Sequence, residues 1–375
     1  MSIESKHILI TGGAGFIGTH LYKRLLELGA RVTVYDKMST QIHGEDAIFC
    51  EPRVSFIKDD VCNIERLSAA LVDVDVVYHL AAETGTGQSM YQIRHYVETN
   101  NGGSAAVLEA VASLKRRKIA LVLASSRSIY GEGAYKNSIG EIYQPNSRSK
   151  KMLEMKIWEP LDDNGNKLVP IATPCSLPPK PGSIYAATKY SQEMLFSSFA
   201  AAHGLNCSIL RFQNVYGEGQ SLQNPYTGIL SIFFNRMRQG LPINIFEDGK
   251  ESRDFVHVSD VVDALVAAIV VPESPRPITV NIGSGEQTSV IQLASLLSEL
   301  SGHRVPLEVT GDFRVGDIRH CFADLTCAEE SLGYSPKIPL QEGLSRFLAW
   351  AKDQPTYRDQ SARAMTELAS KGLTS

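Results

Sequence analysis

The 375-residue sequence carries almost no excess charge of either sign: 37 Lys and Arg stand against 41 Asp and Glu, a net of −4 with histidine neutral. Binding to nucleic acid or to a membrane surface calls for a basic excess, so neither partner is expected, and an anion bound here must meet a local cluster of positive charge. The chain lacks any stretch approaching the roughly 18 consecutive apolar residues of a membrane span. Its opening MSIESKHILITGG passes from a short polar start straight into an apolar run, without the charged and apolar regions of a leader peptide. Cysteine is sparse. The six residues Cys50, Cys62, Cys175, Cys207, Cys321 and Cys327 sit at spacings that fit neither a metal knuckle nor a disulfide framework, which predicts free thiols in a reduced, cytoplasmic setting and no metal site. Internal repeats and low-complexity tracts are also missing. What is present is 43% hydrophobic residues, enough for a large core and a small-molecule site.

Through the first half, buried apolar runs alternate with turn residues and helical periods, the pattern of parallel strands joined by crossover helices. Strands are expected at His7–Thr11, Arg31–Tyr35, Val54–Lys58, Val76–Leu80, Ala120–Ser125 and Ser208–Phe212, and helices at Gly18–Leu28, Thr99–Leu114 and Ile184–His203. The fold class is therefore α/β, a doubly wound parallel sheet of Rossmann type with a smaller mixed α/β lobe. We assign residues 1–212 to the dinucleotide domain, with a Pro-containing insertion at about 132–182 and a return of the sheet near 255–282. Residues 213–254 and 283–352 form the substrate lobe, and 353–375 a polar tail expected to fray. Within the insertion, Asp162-Asp163-Asn164-Gly165-Asn166-Lys167 departs from a calcium loop in its glycine and its twelfth residue, and reads as a hairpin turn.

Thr11-Gly12-Gly13-Ala14-Gly15-Phe16-Ile17-Gly18 follows the first strand and opens the first helix. Glycines at Gly12, Gly15 and Gly18 let a pyrophosphate approach helix N–H groups with no Cβ in the way, and Phe16 and Ile17 lie in the same turn. Asp36 ends the second strand at the distance expected of the acid that binds adenosine ribose hydroxyls; a carboxylate there repels a 2′-phosphate, favouring NAD over NADP, although adjacent Lys37 pulls the other way. Asp60 and Val61 are placed to grip and cover adenine, and Leu80, Ala81 and Ala82 to lie beneath the cofactor.

Tyr185-Ala186-Ala187-Thr188-Lys189 puts a phenol and an ammonium four residues apart on one helical face. Turning a phenol of pKa near 10 into a base near neutrality requires about 4 kcal/mol of phenolate stabilisation, which the Lys189 ammonium and a positive nicotinamide ring can share. Ser125-Ser126-Arg127-Ser128-Ile129-Tyr130-Gly131 ends a predicted strand, where this winding places its sites. Ser126, immediately after the strand, is the first choice to polarise a substrate oxygen, with Ser125 and Ser128 as competitors.

Together these residues resemble the extended short-chain dehydrogenase/reductase family, specifically its nucleotide-sugar epimerases and dehydratases, over about the first 350 residues. The resemblance implies that Ser126 is catalytic, Tyr185 is the base, Lys189 binds the cofactor ribose, and Phe212 approaches the cofactor. Dehydratases of the family place Asp-Glu after the catalytic Ser or Thr. Arg127 and Ser128 stand there in this chain, which disfavours dehydration and leaves C4 epimerisation with retained NAD, or reduction with exchanged cofactor. Arg211-Phe212-Gln213-Asn214-Val215-Tyr216-Gly217, Glu247-Asp248-Gly249 with Arg253-Asp254-Phe255-Val256, and Arg314-Val315-Gly316-Asp317-Ile318-Arg319 resemble the family's substrate motifs. They imply substrate contacts by Asn214, Arg253, Arg314 and Asp317, beside Thr84, Ser126 and Arg127. A diphosphate needs converging guanidinium forks, which Arg253 and Arg314 supply. The long segment before Tyr185, the run through Gly133 and Asn224-Pro225-Tyr226-Thr227-Gly228-Ile229 resemble the dTDP-L-rhamnose 4-epimerases. The implied substrate is a dTDP-sugar, with UDP-sugars next. The resemblance also implies a homodimer through the helices Thr99–Leu114 and Ile184–His203. The reading from another class, an NAD-binding scaffold without catalysis, would be marked by loss of the Tyr or the Lys.

Overall fold

The structure is a computed structural model that describes residues 3–45, 47–114, 118–223, 228–270, 276–357 and 361–374, with 361–365 described by backbone alone. Asn224–Thr227 of the last motif lie outside the described residues. Seven parallel strands, β1 (His7–Thr11), β2 (Arg31–Asp36), β3 (Ser55–Lys58), β4 (Val76–His79), β5 (Ala120–Ser126), β6 (Cys207–Phe212) and β7 (Ile278–Ile282), form one sheet in the order β7-β6-β5-β4-β1-β2-β3. All six expected strands are present within a residue or so at each end; of the segment 255–282 expected to return to the sheet, Ile278–Ile282 joins it as β7, whereas Phe255–His257 pairs with Asn214–Tyr216 in a separate two-stranded sheet.

Successive strand residues feed opposite faces, which is why the strands read as continuous apolar runs rather than as alternation. Ile8, Ile10, Val34 and Val122 pack on one side with Leu21 and Leu25 of α1 (Phe16–Glu27). Leu9, Val77, Leu121 and Leu123 pack on the other with Val107 and Val111 of α2 (Gly103–Ala112), and with Phe196 and Ala200 of α3 (Ile184–His203). The reversal of strand order between β1 and β4 opens a crevice at their carboxyl ends, where a doubly wound sheet binds its ligand. Ser183 caps α3 by accepting the Ala186 N–H, so the helix begins just before Tyr185.

A third core joins α4 (Ile229–Arg238), α6 (Val290–Ser301) and α7 (Leu340–Ala351) beside the sheet, where Leu230, Phe233, Leu293, Leu297, Leu344 and Phe347 meet, while α5 (Val258–Ala267) belongs to the first core and packs on α1. In this lobe the pair Ser252–Arg253 lies between Thr288–Ser289 and His320–Cys321, which sets Arg253 beside the loop that carries Arg314 and Asp317. The insertion forms a three-stranded antiparallel sheet, and Asp162–Lys167 is a hairpin turn closed by a Leu161–Lys167 bridge.

Two expectations are corrected. The described part of the tail is docked rather than frayed: α8 (Ser361–Ser370) forms within it, Leu368 and Thr374 are buried, and Thr374 bridges Arg314. Its apolar residues are too sparse to make a sequence pattern, so the signal comes only from docking. Nor are all thiols free. Cys175 and Cys327 form a disulfide across 152 residues, because backbone hydrogen bonds of Thr173 with Phe322 and Asp324 draw the insertion against the helix Thr326–Leu332. Cys50, Cys62, Cys207 and Cys321 are free. No helix among the described residues is long and apolar enough to cross a membrane.

Candidate active site

A cavity of about 430 Å³ lies over the carboxyl ends of the central strands. Gly12, Gly15, Phe16, Ile17, Gly18, Asp36, Lys37, Val61, Leu80, Ala81, Ala82, Thr84, Ser126, Tyr185, Lys189 and Phe212 all line it. Gly12 has φ +68°, and a Cβ there would stand 2.6 Å from the Ala81 nitrogen, so only glycine fits. The first turn of α1, where helix N–H groups have no partner within the helix, faces the cavity and suits a pyrophosphate. The Asp36 carboxylate accepts the N–H groups of Ala14 and Met38 and is buried at the position for ribose. Lys37 donates to Glu83 at 2.7 Å, so its ammonium is neutralised rather than offered to a 2′-phosphate. These features fit NAD. Asp60 does not line the cavity: its carboxylate accepts the Cys62 N–H, and the neighbouring Asp59 takes the lining position.

At the end of β5 the two adjacent serines both border the cavity, but the strand alternation gives them different partners. Ser125 donates to Glu193, which also holds the Arg211 guanidinium at 2.8 Å in a buried network. Ser126 turns to the cavity, where its hydroxyl accepts the Ser128 N–H and hydrogen-bonds the Tyr185 phenol. The Ser128 hydroxyl is buried without a hydrogen-bond partner among the described residues. Burial pushes the Tyr185 phenol above its ordinary value of 10, against the Ser126 hydrogen bond and the Arg127 charge, which pull it down. Lys189 donates to the Ala124 carbonyl at 2.9 Å, and burial lowers it to about 8 despite Glu193. The side chains alone therefore do not bring the phenol into the neutral range, and the expected action of Lys189 on it is corrected to a position at the cavity floor. Below lies His79, which burial and then Lys189 depress to about 3, so it is a neutral imidazole anchored by Thr11 and Ser104.

A neck of about 300 Å³, lined by Thr84, Ser126, Arg127, Tyr185 and Asn214, leads toward a second cavity of about 600 Å³ lined by Arg127, Asn214, Arg253, Arg314 and Asp317. The structure thus brings every expected substrate residue to one connected space. Arg127 donates to the Asn214 side-chain oxygen at 2.9 Å. Arg253 donates to Asp317 at 3.0 Å and to the carbonyls of Ser252, Ile318 and Arg319, so it braces this loop as well as facing the cavity. Arg314 stacks on Phe246 at 4.8 Å. Burial would raise the Asp317 carboxyl, but the charges of Arg253, Arg314, Arg148 and Arg127 hold it below its usual value. Three of these guanidinium groups, Arg127, Arg253 and Arg314, line the cavity, a field suited to a diphosphate, while Arg148 is buried behind them against Glu247.

Arg148, Glu83 and Asp59 carry no motif and were legible only in three dimensions. Arg148 comes from the insertion and reaches Glu247 at 2.7 Å and the Asp317 carbonyl at 3.0 Å. Glu83 is positioned by Asn100, which sits in a π-helical turn (Val97–Gly102) and accepts the Glu83 N–H at 2.8 Å.

Fold and site together define an enzyme of the short-chain dehydrogenase/reductase kind whose cofactor is NAD. The sequence matches the NAD dependent epimerase/dehydratase family over residues 8–153 and 163–283, and the chain belongs to that family. It is 36% identical over 353 residues to a dTDP-L-rhamnose 4-epimerase of Burkholderia thailandensis, covering 93% of this chain and 95% of that one. It is 30% identical to a putative UDP-glucose 4-epimerase of Methanocaldococcus jannaschii, covering 92% and 98%. Among solved structures it is similar to the UDP-glucose 4-epimerase of Thermotoga maritima with UDP-glucose (TM-score 0.74, 31% identity, covering 92% and 98%). It is also similar to the UDP-glucuronic acid 4-epimerase of Bacillus cereus with UDP-glucuronic acid and NAD (TM-score 0.72, 29% identity, covering 92% and 99%).

Proposed function

We propose that this enzyme is a nucleotide-diphosphate-sugar 4-epimerase, an isomerase interconverting dTDP-L-rhamnose and dTDP-6-deoxy-L-talose. The observation that carries the reaction is the neck: Ser126 and Tyr185 meet there, and no carboxylate lines it among the described residues. Dehydration needs a further acid beside the serine, and Arg127 and Ser128 occupy those positions. The preference for a dTDP-sugar is supported by the 36% identical relative, and a UDP-sugar is the second reading, supported by the Thermotoga maritima structure.

In this mechanism the diphosphate is held by the guanidinium ring around Asp317. Tyr185 takes the proton of the sugar C4 hydroxyl while Ser126 donates a hydrogen bond to the same oxygen. NAD held along the Gly12–Gly18 turn, Asp36 and Lys189 would supply the acceptor and donor of the C4 hydride, and its positive ring would offset the burial of the phenol. Between the two transfers the sugar turns within the cavity while its diphosphate stays clamped. Tyr185 then returns its proton to C4 oxygen, leaving the enzyme unchanged. The presence of both Tyr185 and Lys189 in the NAD cavity argues against a non-catalytic scaffold. The sheet domain would carry NAD and the lobe of residues 213–254 and 283–352 the substrate. Exposed Ile93, Val97 and Met194 near or on α2 and α3 support a homodimer through these helices.

The test is Tyr185→Phe. It should lower turnover by roughly 10²- to 10⁴-fold, the usual worth of a general base, while NAD stays bound. Unchanged turnover would remove Tyr185 from the mechanism. Conversion of dTDP-L-rhamnose without added NADH, with the C4 hydrogen retained in heavy water, is expected of an epimerase. A stoichiometric need for NADH would make the enzyme a reductase.

A further inference from the structure

The larger cavity has one wall that no sequence motif announced. The Val315 N–H donates to the Leu373 carbonyl at 3.1 Å, and the Thr374 hydroxyl donates to the Phe313 carbonyl at 2.7 Å. This end of the segment is thus pinned to the loop of Arg314 and Asp317. At its other end Leu368, 6% exposed, packs on Gly87, where an added Cβ would stand 3.1 Å from the leucine methyl. Gly87 lies in the short helix Thr86–Ser89, and the Ser89 hydroxyl accepts the Tyr185 N–H at 3.0 Å. Leu368 and Leu373 therefore span the cavity from the substrate lobe to the element that abuts Tyr185, and both line it.

The chemistry on this wall is apolar. Gly87 and Met90 flank Leu368 in the cavity lining, whereas the carboxylates Glu247, Glu251, Asp312 and Asp317 enter from the lobe strands and loops with Arg253 and Arg314. A sugar methyl group needs only apolar contact. A hydroxymethyl group would lose a hydrogen-bond partner against such a wall, and a carboxylate would also meet no cation. Resting on the 4-epimerase reading, we propose that Leu368, which packs on Gly87 next to the neck residue Thr86, is a specificity-determining residue that closes the sugar end of the cavity, accepts a C6 methyl group, and disfavours a C6 hydroxymethyl or carboxylate.

The experiment compares kcat/KM for three sugars on one nucleoside diphosphate, carrying methyl, hydroxymethyl or carboxylate at C6. Wild type should favour the 6-deoxy sugar by about 10-fold or more, the range that a small apolar pocket achieves. Leu368→Ala should narrow that ratio to about threefold with NAD content unchanged, and Leu368→Lys should raise the carboxylate sugar relative to the other two. Leu368→Met, which keeps the volume, should preserve the ranking, so a folding defect in the alanine variant does not decide the matter. Equal losses on all three sugars would make the wall merely structural and overturn the inference. Equal wild-type efficiency on the methyl and hydroxymethyl sugars would overturn it while leaving the 4-epimerase reading intact. Wild-type inertness toward all three, with NAD bound, would overturn both.

Discussion

Alanine replacements of Ser125, Ser126 and Ser128 should have three different outcomes, because the backbone sends three similar hydroxyls to three environments. Ser126→Ala removes the donor to the reacting oxygen. Loss of one such donor costs about 10²–10³ in kcat, or roughly 3–4 kcal/mol of transition-state stabilisation. It also removes a hydrogen bond that holds the Tyr185 phenol down, so the phenol rises further. The base works as phenolate, present above its pKa, and the acidic limb of the kcat profile should therefore move to higher pH. Ser126 is only half-buried, so thermal stability should scarcely change. Ser125→Ala instead leaves the buried Glu193 carboxylate short of one donor while Arg211 still holds it. That costs about 1–3 kcal/mol of stability. At this chain length the loss lowers Tm by roughly 1 °C per kcal/mol, with kcat within a few-fold of wild type. Ser128→Ala deletes a buried hydroxyl that has no partner among the described residues, so stability should hold or rise slightly. Steady-state epimerisation across pH and a thermal melt of each variant make the comparison. If Ser125→Ala, still folded, lost as much turnover as Ser126→Ala, the assignment from strand alternation would be refuted.

Glu83→Gln releases Lys37 from its carboxylate and should tighten NADP binding by about 5- to 10-fold, measured by titration; no change would mean that Asp36 alone sets the cofactor preference. Arg319→Met removes a fully buried guanidinium held by Glu159, Glu247 and Asp248, and should cost about 3–5 kcal/mol in urea unfolding; a loss under about 1 kcal/mol would contradict the pairing. Burial, followed by repulsion from Glu247, raises Glu251 from 4.5 to about 7. The folded protein then holds a proton that the unfolded chain releases, so stability contributed by this group falls as pH rises from about 4.5 to about 7. Glu251→Gln should flatten that interval of the stability–pH curve, and an unaltered slope would reject the assignment.

The sheet and the cofactor turn were legible because their physics is local. A strand buried on both faces needs a continuous apolar run, and a pyrophosphate turn needs Gly12 where φ is positive and Ala81 approaches too closely for a side chain. The Tyr185–Lys189 spacing is likewise a property of one helix. The choice among three serines was open in one dimension and closed only when β5 directed Ser125 to Glu193 and Ser126 to the phenol. Asp59 and Asp60 are neighbours in a turn, and only its conformation decided which one lines the cavity.

Adjacent residues determine periodicity, helix caps and backbone freedom, so the parallel winding, the glycine turn and the Tyr185–Lys189 pair could be read from letters alone. The Cys175–Cys327 link, the Arg148 and Glu83 contacts and the wall of Leu368 and Leu373 depend on approaches between segments many residues apart. Those approaches are set by how the helices and the lobe pack on the sheet, and no spacing along the chain encodes the resulting distance.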